Sequence, residues 1–285
     1  MMRIALIGAA GQLGTALTAR LSGEVIPLGR EALDISDAGS VRDVLPRARP
    51  ALVINAAAYN FVDRAEDESD RAIAVNALGP QYIAETCVAL GVPLVHVSSD
   101  YVFGHDVERK TPYRESDPPG PVSAYARSKL KGEQLVQAGC PNHYILRTCG
   151  LYGRAVSPGK GNFVETMLRL GRERGAVSVV DDQWCTPTAA TDLAGWIAKL
   201  VATGKFGLYH ATNSGSTTWC RLAREIFRCA GMTVDVKAIT TAEFGAKARR
   251  PPFSVLDCAN LEGILGRRLR PWDEALADYL QSRRV

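Results

Sequence analysis

The sequence has no paired-cysteine motif, no long apolar run and no strong excess of either charge. Seven cysteines are spread along the chain without a CxxC pair, and their number is odd. This spacing fits neither a zinc site nor a disulfide framework, and it indicates free thiols in a reducing compartment. The sequence therefore assigns no metal ligands.

The charge balance and the short apolar segments exclude two further classes of protein. Lys plus Arg is 34 and Asp plus Glu is 30, for a net charge of +4. The basic residues are dispersed, whereas a nucleic-acid module concentrates them on one face. The first apolar run is ended at once by Gly8, too early for a signal peptide, and no stretch is long enough to span a bilayer. We therefore expect a cytoplasmic protein with no nucleic-acid or membrane partner.

The first half of the chain alternates short apolar runs with helical patterns. The predicted strands are 4–7, 25–28, 51–55, 93–97 and 144–147, and the predicted helices are 12–21, 72–90 and 124–138. Such alternation is typical of βαβ units, which form a mostly parallel sheet. Later in the chain we predict a strand at 177–180, a helix at 192–201 capped by Thr191, and a helix at 218–230 capped by Ser216 or Thr217. The pattern predicts an α/β fold, a Rossmann-type doubly wound parallel sheet with a smaller C-terminal substrate-binding region.

Three glycines lie between the first predicted strand and the first predicted helix. Gly8, Gly11 and Gly14 have the spacing GxxGxxG, a variant of the dinucleotide-binding fingerprint. Gly8 permits a tight turn, Gly11 lets the backbone approach a pyrophosphate, and Gly14 lets the helix pack closely. The helix start, with Gln12 and Leu13, offers N–H groups to phosphates. A glycine-rich turn without a ligand is the alternative, and the strand–turn–helix context favours the cofactor.

The end of the second predicted strand bears on the choice of cofactor. An acidic residue there would bind the ribose of NAD, but this strand runs into Leu28-Gly29-Arg30. Arg30 can pair with a 2′-phosphate, while Asp34 and the adjacent Ile35 are placed on the adenine side. NADPH is therefore favoured over NADH, with a solvated surface role as the alternative for Arg30.

Tyr125 and Lys129 form a YxxxK pair, and their i, i+4 spacing places both on one helix face. A ketone that accepts hydride also needs a proton on its oxygen. Tyrosine has a pKa of about 10, and a nearby ammonium stabilises the phenolate and lowers that pKa. The lysine can also bind the nicotinamide ribose. An exposed tyrosine beside a surface lysine is the alternative.

Other residues are predicted at the same edge of the sheet. Ser99 ends a strand about 25 residues before Tyr125, where its hydroxyl can hold a carbonyl against the phenol. Small residues after another strand let the nicotinamide ribose approach, although core packing would explain them equally well. The further candidates at the cofactor are Ala56, Ala57, Ala58, Asn76 and Ser98.

These residues resemble the extended short-chain dehydrogenase/reductase superfamily, and within it the dTDP-4-dehydrorhamnose reductase family. The resemblance covers nearly the whole chain. It is carried by Gly8 to Gly14, Asn55 to Glu66 (NAAAYNFVDRAE), Val95 to Phe103 (VHVSSDYVF), Tyr125 to Glu133 (YARSKLKGE), Lys160 to Leu170 (KGNFVETMLRL), Asp182-Gln183 with Pro187-Thr188, Gly207 to Trp219 (GLYHATNSGSTTW), Ala248 to Pro251 (ARRP), and Trp272.

The resemblance implies NAD(P)H-dependent reduction of the 4-keto group of a dTDP-linked 6-deoxyhexose. Tyr125 would protonate the new alkoxide, Lys129 would tune Tyr125, and Ser99 would orient the ketone where the family usually has threonine. The residues expected at the substrate are Ser99, Asp100, Tyr101, Lys160, Asn162, Trp184, Arg249 and Arg250, the two arginines and Lys160 at the diphosphate. A solvated basic loop is the alternative for the arginines.

The chain departs from the family pattern at two places. Gly150 stands where the family often has a tryptophan of the substrate wall, and Trp184 adds bulk where small residues are usual. One hypothesis is that Trp184 fills the space at Gly150.

The implied organisation is an NAD(P)-binding domain at 1–149, rejoined by about 188–230, with substrate-binding segments at 150–187 and 231–285. The resemblance also leaves alternatives open. A sugar-nucleotide dehydratase would need a second carboxylate after Asp100, where Tyr101 stands, and an epimerase would keep and cycle its cofactor. A non-catalytic regulatory subunit like the β subunit of methionine adenosyltransferase is another. Some family members form magnesium-linked dimers, so a homodimer and a magnesium ion stay open.

Overall fold

A computed structural model describes residues 1–155 and 161–283, and its centre is a six-stranded sheet with parallel neighbours throughout. The strands are β1 (Arg3–Ile7), β2 (Glu24–Leu28), β3 (Leu52–Asn55), β4 (Leu94–Ser99), β5 (His143–Thr148), β6 (Leu151–Tyr152), β7 (Ala176–Val180), β8 (Trp184–Cys185), β9 (Thr188–Ala189), β10 (Gly207–His210), β11 (Thr217–Thr218) and β12 (Asp235–Ile239). All five strands predicted in the first half are present, each within about two residues of its predicted ends.

Helices cover both faces of this sheet, and further helices pack beside it. They are α1 (Gln12–Arg20), α2 (Ala38–Ala48), α3 (Ser69–Ile73), α4 (Gly79–Leu90), α5 (Ala124–Gly139), α6 (Phe163–Arg174), α7 (Ala190–Ala202), α8 (Trp219–Ala230), α9 (Thr241–Phe244), α10 (Ala259–Leu265) and α11 (Trp272–Ser282). Within the described ranges, no helix combines the length and apolarity needed to cross a bilayer.

The strand order, β10-β5-β4-β3-β1-β2, makes the sheet doubly wound. The chain runs outward from β1 to β2, then returns to build β3 and its successors on the other side of β1. Ligands in open sheets of this kind bind at the carboxyl ends of the strands, where the winding reverses. The predicted fold class is confirmed, and β10 is a sixth strand that the sequence analysis did not predict.

Alternation along β1 shows how the two faces are filled. Ile4 and Leu6 pack into a core with α1 and α7, whereas Ala5 and Ile7 pack into a second core with α2 and α4. Successive side chains of a strand point to opposite faces, so a strand covered on both sides is apolar at every position. This explains why the predicted strands appear as continuous apolar runs.

The helix predicted at 72–90 is interrupted by one wide turn. A π-helical turn at Ala74–Leu78 separates α3 from α4, and it brings Asn76 against α5. A Cβ on Gly132 of α5 would lie 2.0 Å from the carbonyl oxygen of Asn76, so only glycine allows this approach. Single π turns recur at functional sites. Here the turn places the backbone of Asn76 directly against Gly132 of α5.

Both predicted caps in the second half are wrong. The N-cap of α7 is Ala189, not Thr191, so the helix begins at Ala190, and the amide of Ala189 donates to Asn213 Oδ1 at 2.9 Å. Helix α8 begins at Trp219, and the Thr218 hydroxyl accepts from the amide of Arg221 at 3.2 Å.

The C-terminal half builds a third core beside the sheet. Helices α6, α8 and α11 pack together with the parallel pair β7–β12, around buried residues such as Leu168, Ile226 and Leu276. Strand β10 meanwhile returns to the edge of the main sheet beside β5. The predicted division of the chain into domains stays a prediction.

A buried ion pair fixes α5 to β5. Arg147 Nε lies 3.0 Å from Glu133 Oε1, and its Nη2 lies 2.7 Å from Oε2. The side chains are 3% and 1% exposed, respectively, so water can compensate neither charge. The guanidinium also lies 5.0 Å from the ring centroid of Phe103. A forked pair of this kind restricts both the position and the rotation of α5.

We expect Glu133→Gln to lower the free energy of unfolding by about 3 kcal/mol or more, because it leaves the buried guanidinium of Arg147 without a counter-charge. Glu173→Gln is the control, since Glu173 pairs with Arg169 at 50% and 58% exposure, and the cost there should stay below about 1 kcal/mol. Urea denaturation measures both. Equal losses in the two variants would contradict a structural role for the buried pair.

Candidate active site

A cleft of about 620 Å³ opens at the carboxyl ends of the parallel strands. Its walls come from the segments that follow β1, β3, β4 and β5, from α5, and from the starts of α6 and α8. The cleft brings together twelve of the predicted site residues: Gly11, Gln12, Leu13, Ala56, Ala58, Ser98, Ser99, Asp100, Tyr101, Tyr125, Lys129 and Asn162.

The loop after β1 has the shape that a dinucleotide needs. The amide of Gly8 donates to Leu28 O at 2.9 Å, and the amide of Gly11 donates to Gly8 O at 3.0 Å, which closes a tight turn. A Cβ on Gly14 would lie 2.3 Å from Gly8 O, so α1 can start this close only with glycine. Because Gly11 is the N-cap of α1 and has no side chain, the amides of the first turn face the cleft and fit a diphosphate.

Asn162 joins the two sides of the cleft. Its side-chain oxygen accepts from the amide of Glu165 at 2.9 Å and so caps α6, while Nδ2 donates to Gln12 Oε1 at 3.2 Å and Gly153 O at 3.1 Å. The residue predicted for substrate binding therefore also ties α6 to α1. Lys160, predicted nearby, lies outside the described residues.

The three predicted catalytic side chains converge beside β4. The Ser99 hydroxyl donates to Asp100 Oδ1 at 3.1 Å, and it lies beside the phenol of Tyr125 in the same cleft. Lys129 Nζ donates to Val97 O at 2.8 Å. The first turn of α5 is held by Ser123, whose hydroxyl accepts from the amide of Ala126 at 3.2 Å. All three predicted residues line the cleft.

Burial controls the acidity of these groups. It raises the pKa of Tyr125 well above that of a free phenol, and it lowers the pKa of Lys129 to about 8. It also raises the pKa of Asp100 to about 6. We expected Lys129 to lower the pKa of Tyr125. In this structure the ammonium is bound to a backbone carbonyl, and the loss of water around the phenol outweighs the favourable effect of the neighbouring Ser99 hydroxyl.

Two buried hydroxyls in the cleft have no hydrogen-bond partner within the described part of the chain. They are Ser98 Oγ, one residue before the end of β4, and Thr148 Oγ1, at the end of the neighbouring strand β5. Unpaired buried hydroxyls are costly in a dry interior, so their position favours a polar ligand in the cleft.

Three residues predicted at the adenine end lie outside the cleft lining. Arg30 is exposed, and Ile35 is buried against Gly79. Asp34 Oδ1 accepts from the hydroxyl of Ser36 at 2.6 Å and from its amide at 3.0 Å, which lowers the pKa of Asp34. Their roles at a cofactor stay predictions.

Four other predicted residues lie behind the cleft lining and support it: Gly8, Gly14, Ala57 and Asn76. The amide of Ala57 donates to Asn55 Oδ1 at 3.1 Å. Asn76 is buried, and its side-chain Nδ2 donates to Ser128 Oγ at 3.0 Å and to Tyr59 O at 3.0 Å. Asn76, predicted at the cofactor, therefore ties the loop after β3 to α5.

The two predicted arginines differ in position. Arg249 is exposed, whereas Arg250 is held by Asp63, with Nη1–Oδ1 at 2.9 Å and Nη2–Oδ2 at 2.6 Å. Arg250 also lies near Tyr101, which lines the cleft. Its guanidinium is therefore at the rim but already paired with a carboxylate.

The indole beside Gly150 is that of Trp219. Its Cη2 lies 3.4 Å from the point where a Cβ on Gly150 would stand, and Trp219 lines the cleft. The hypothesis that Trp184 fills this space is therefore wrong. Trp184 does not line the cleft, and the guanidinium of Arg221 lies 4.9 Å from its ring centroid. The chain order could not show that the start of α8 folds back to β5.

The sequence analysis also missed Asn60, Thr148 and Cys149 in the cleft lining. Asn60 lies within a segment already recognised by its resemblance, NAAAYNFVDRAE, and the other two directly follow a predicted strand. Residues just beyond the carboxyl ends of parallel strands are the signal that would have found them.

Comparisons with known proteins agree with this geometry. A family model described as RmlD substrate binding domain matches residues 2–285. A dTDP-4-dehydrorhamnose reductase from Streptomyces griseus is 42% identical over 281 residues, which cover 95% of this chain and 90% of that protein.

Two crystal structures are similar over the full length. A dTDP-4-dehydrorhamnose reductase from Clostridium acetobutylicum has a TM-score of 0.94 at 40% identity and covers 100% of both chains. One from Bacillus anthracis, in complex with NADP, has a TM-score of 0.93 at 39% identity and covers 99% of this chain and 100% of that one. The resemblance drawn from the motifs is confirmed, and the chain belongs to the RmlD substrate binding domain family, alongside dTDP-4-dehydrorhamnose reductases.

Proposed function

We propose that this chain is an NADPH-dependent reductase of the 4-keto group of a dTDP-linked 6-deoxyhexose, with dTDP-4-dehydro-L-rhamnose as substrate. The observation that carries the proposal is the convergence of the phosphate loop with Ser99, Tyr125 and Lys129 in one cleft. The relatives named for this reaction, and the NADP in the Bacillus anthracis structure, support both the substrate and the cofactor.

The bound cofactor would supply a hydride to the carbonyl carbon. The Ser99 hydroxyl can hold the carbonyl oxygen of the substrate beside the phenol of Tyr125. Tyr125 donates its proton to that oxygen as negative charge develops there. Lys129 would bind the nicotinamide ribose from the floor of the cleft. Asp100 and Tyr101 line the same wall and would contact the sugar.

We further propose that residues 1–149 hold the cofactor, with 188–230 rejoining that unit, and that 150–187 and 231–285 hold the nucleotide sugar. Arg249, Arg250 and Lys160 would meet the diphosphate. For Arg250 this requires exchange of its contact with Asp63 for the ligand, since one guanidinium fork cannot serve both fully.

The wild-type enzyme should oxidise NADPH in the presence of dTDP-4-dehydrorhamnose, and Tyr125→Phe should lower kcat by about 10²–10⁴-fold because the proton donor is lost. Absorbance of reduced nicotinamide measures the rate, and NADPH fluorescence should show unchanged cofactor affinity in the variant. Net oxidation excludes an epimerase that cycles its cofactor. A wild-type protein without turnover on this sugar, but with a stably captured partner enzyme, would favour a regulatory subunit.

Two variants of Ser99 separate its hydroxyl from its size. Ser99→Thr keeps the hydroxyl and should retain kcat/KM within a few-fold, whereas Ser99→Ala should lose about 10-fold, the worth of one hydrogen bond to the reacting oxygen. Steady-state kinetics on the keto sugar measure both. The role assigned to the hydroxyl would have to be abandoned if alanine matched threonine.

Affinity for NADPH should be highest below pH 8 and should fall as the pH rises through about 8. Burial lowers the pKa of Lys129 to about 8, and only its protonated ammonium form attracts the anionic cofactor. Fluorescence titrations on either side of that pH measure the effect. Lys129→Met has no such group and should show no fall, and an identical fall in this variant would refute the assignment.

A further inference from the structure

Asn60 lies at the phenol of Tyr125, although no motif assigned it a role. It follows β3 in the loop that lines the cleft, and its Oδ1 lies 3.5 Å from the Tyr125 hydroxyl. The contact joins Asn60 to the atom that would give up a proton in the proposed reaction.

Asn60 is exposed, yet its backbone is held in place by its neighbour. The amide of Tyr59 donates to Asn76 Oδ1 at 2.8 Å, and the carbonyl of Tyr59 accepts from Asn76 Nδ2 at 3.0 Å. The phenol of Tyr59 is buried and donates to Glu68 Oε2 at 2.9 Å. A polar side chain on so fixed a backbone can hold a defined position at the edge of the cleft.

The groups around the Tyr125 phenol disfavour its anion. Burial raises the pKa of Tyr125 most, and the nearby Asp100 adds to this effect, while the ring centroid of Tyr101 lies edge-on at 6.0 Å from that of Tyr125. Lys129 lies one turn further along α5, with its ammonium bound to Val97 O. An uncharged donor at the phenol oxygen would therefore stabilise the phenolate, and the structure places the side-chain carboxamide of Asn60 against that oxygen.

We propose that Asn60 is a further catalytic residue, which accepts the Tyr125 hydroxyl hydrogen in the resting enzyme and donates an amide N–H to the phenolate after proton transfer. The Cγ atom of asparagine carries both an acceptor oxygen and an NH2 group with two N–H donors. A half turn about the terminal torsion therefore exchanges the positions of the acceptor and the donors. This inference rests on the proposed function, in which Tyr125 is the proton donor.

In the proposed reduction, NADPH would supply a hydride to the carbonyl carbon, and the phenolic proton of Tyr125 goes to the carbonyl oxygen. The phenolate that remains takes its next proton from water, which can reach it at the exposed edge formed by Asn60. Asn60 itself is neither protonated nor deprotonated.

The test uses the reverse reaction, oxidation of dTDP-L-rhamnose by NADP⁺, because Tyr125 must then begin as the phenolate. The rate should rise with pH, because each increase in pH raises the fraction of phenolate. Asn60→Leu has nearly the same shape but no donor, and it should shift the profile upward by about one pH unit, which lowers the rate about 10-fold at a given pH. Asn60→Asp, which adds a like charge, should shift it further, and Asn60→Ser, which keeps a donor, should restore most of the loss.

Asn142→Leu changes another exposed asparagine, away from the cleft, and is the matched control that should follow the wild type. Thermal unfolding and NADPH affinity should be unchanged in all Asn60 variants. Unshifted pH profiles in both Asn60→Leu and Asn60→Asp would overturn the role of Asn60 alone. Full turnover by Tyr125→Phe would instead overturn the proposed function, whatever the Asn60 variants do.

Discussion

The fork between Arg147 and Glu133 is the interaction on which the candidate site depends. Tyr125, Lys129 and Glu133 are spaced four residues apart along α5, so they form one stripe on the helix. Fixing the last of them against β5 fixes the rotation of the other two. The helix can therefore present a phenol and an ammonium to the cleft at reproducible depth, without a ligand to organise them.

Burial of this stripe acts on its chemistry in two opposing ways. A dry environment strengthens every hydrogen bond in the cleft, but it also disfavours the charged form of each titratable group. The phenol becomes a weaker acid and the ammonium a stronger one. In the proposed reaction, a neutral donor such as the Asn60 side-chain amide would therefore contribute more to stabilising the Tyr125 phenolate than the YxxxK spacing alone indicates.

Much of the fold and part of the site could be predicted from the sequence. Strands β1 and β3 are apolar at nearly every position because both faces of the sheet are covered there, and the glycine loop has its spacing because Gly14 lies against Gly8. The cap of α7, the π turn at Asn76 and the position of Trp219 could not be predicted. Each depends on a partner far away in the chain, such as Asn213, α5 or β5, which local patterns do not show.

The position of Trp219 has a consequence for how the protein can diversify. Its indole reaches the cleft from the first turn of α8, while the rest of that helix is packed in the third core, away from the sheet. One wall of the cleft is thus supported independently of the strands that carry the reactive groups. Replacement of residues along this wall would alter which molecules fit the cleft, while the four-residue spacing of the reactive side chains on α5 would be unchanged. New substrate preferences can therefore arise without any change to the groups that carry out the reaction.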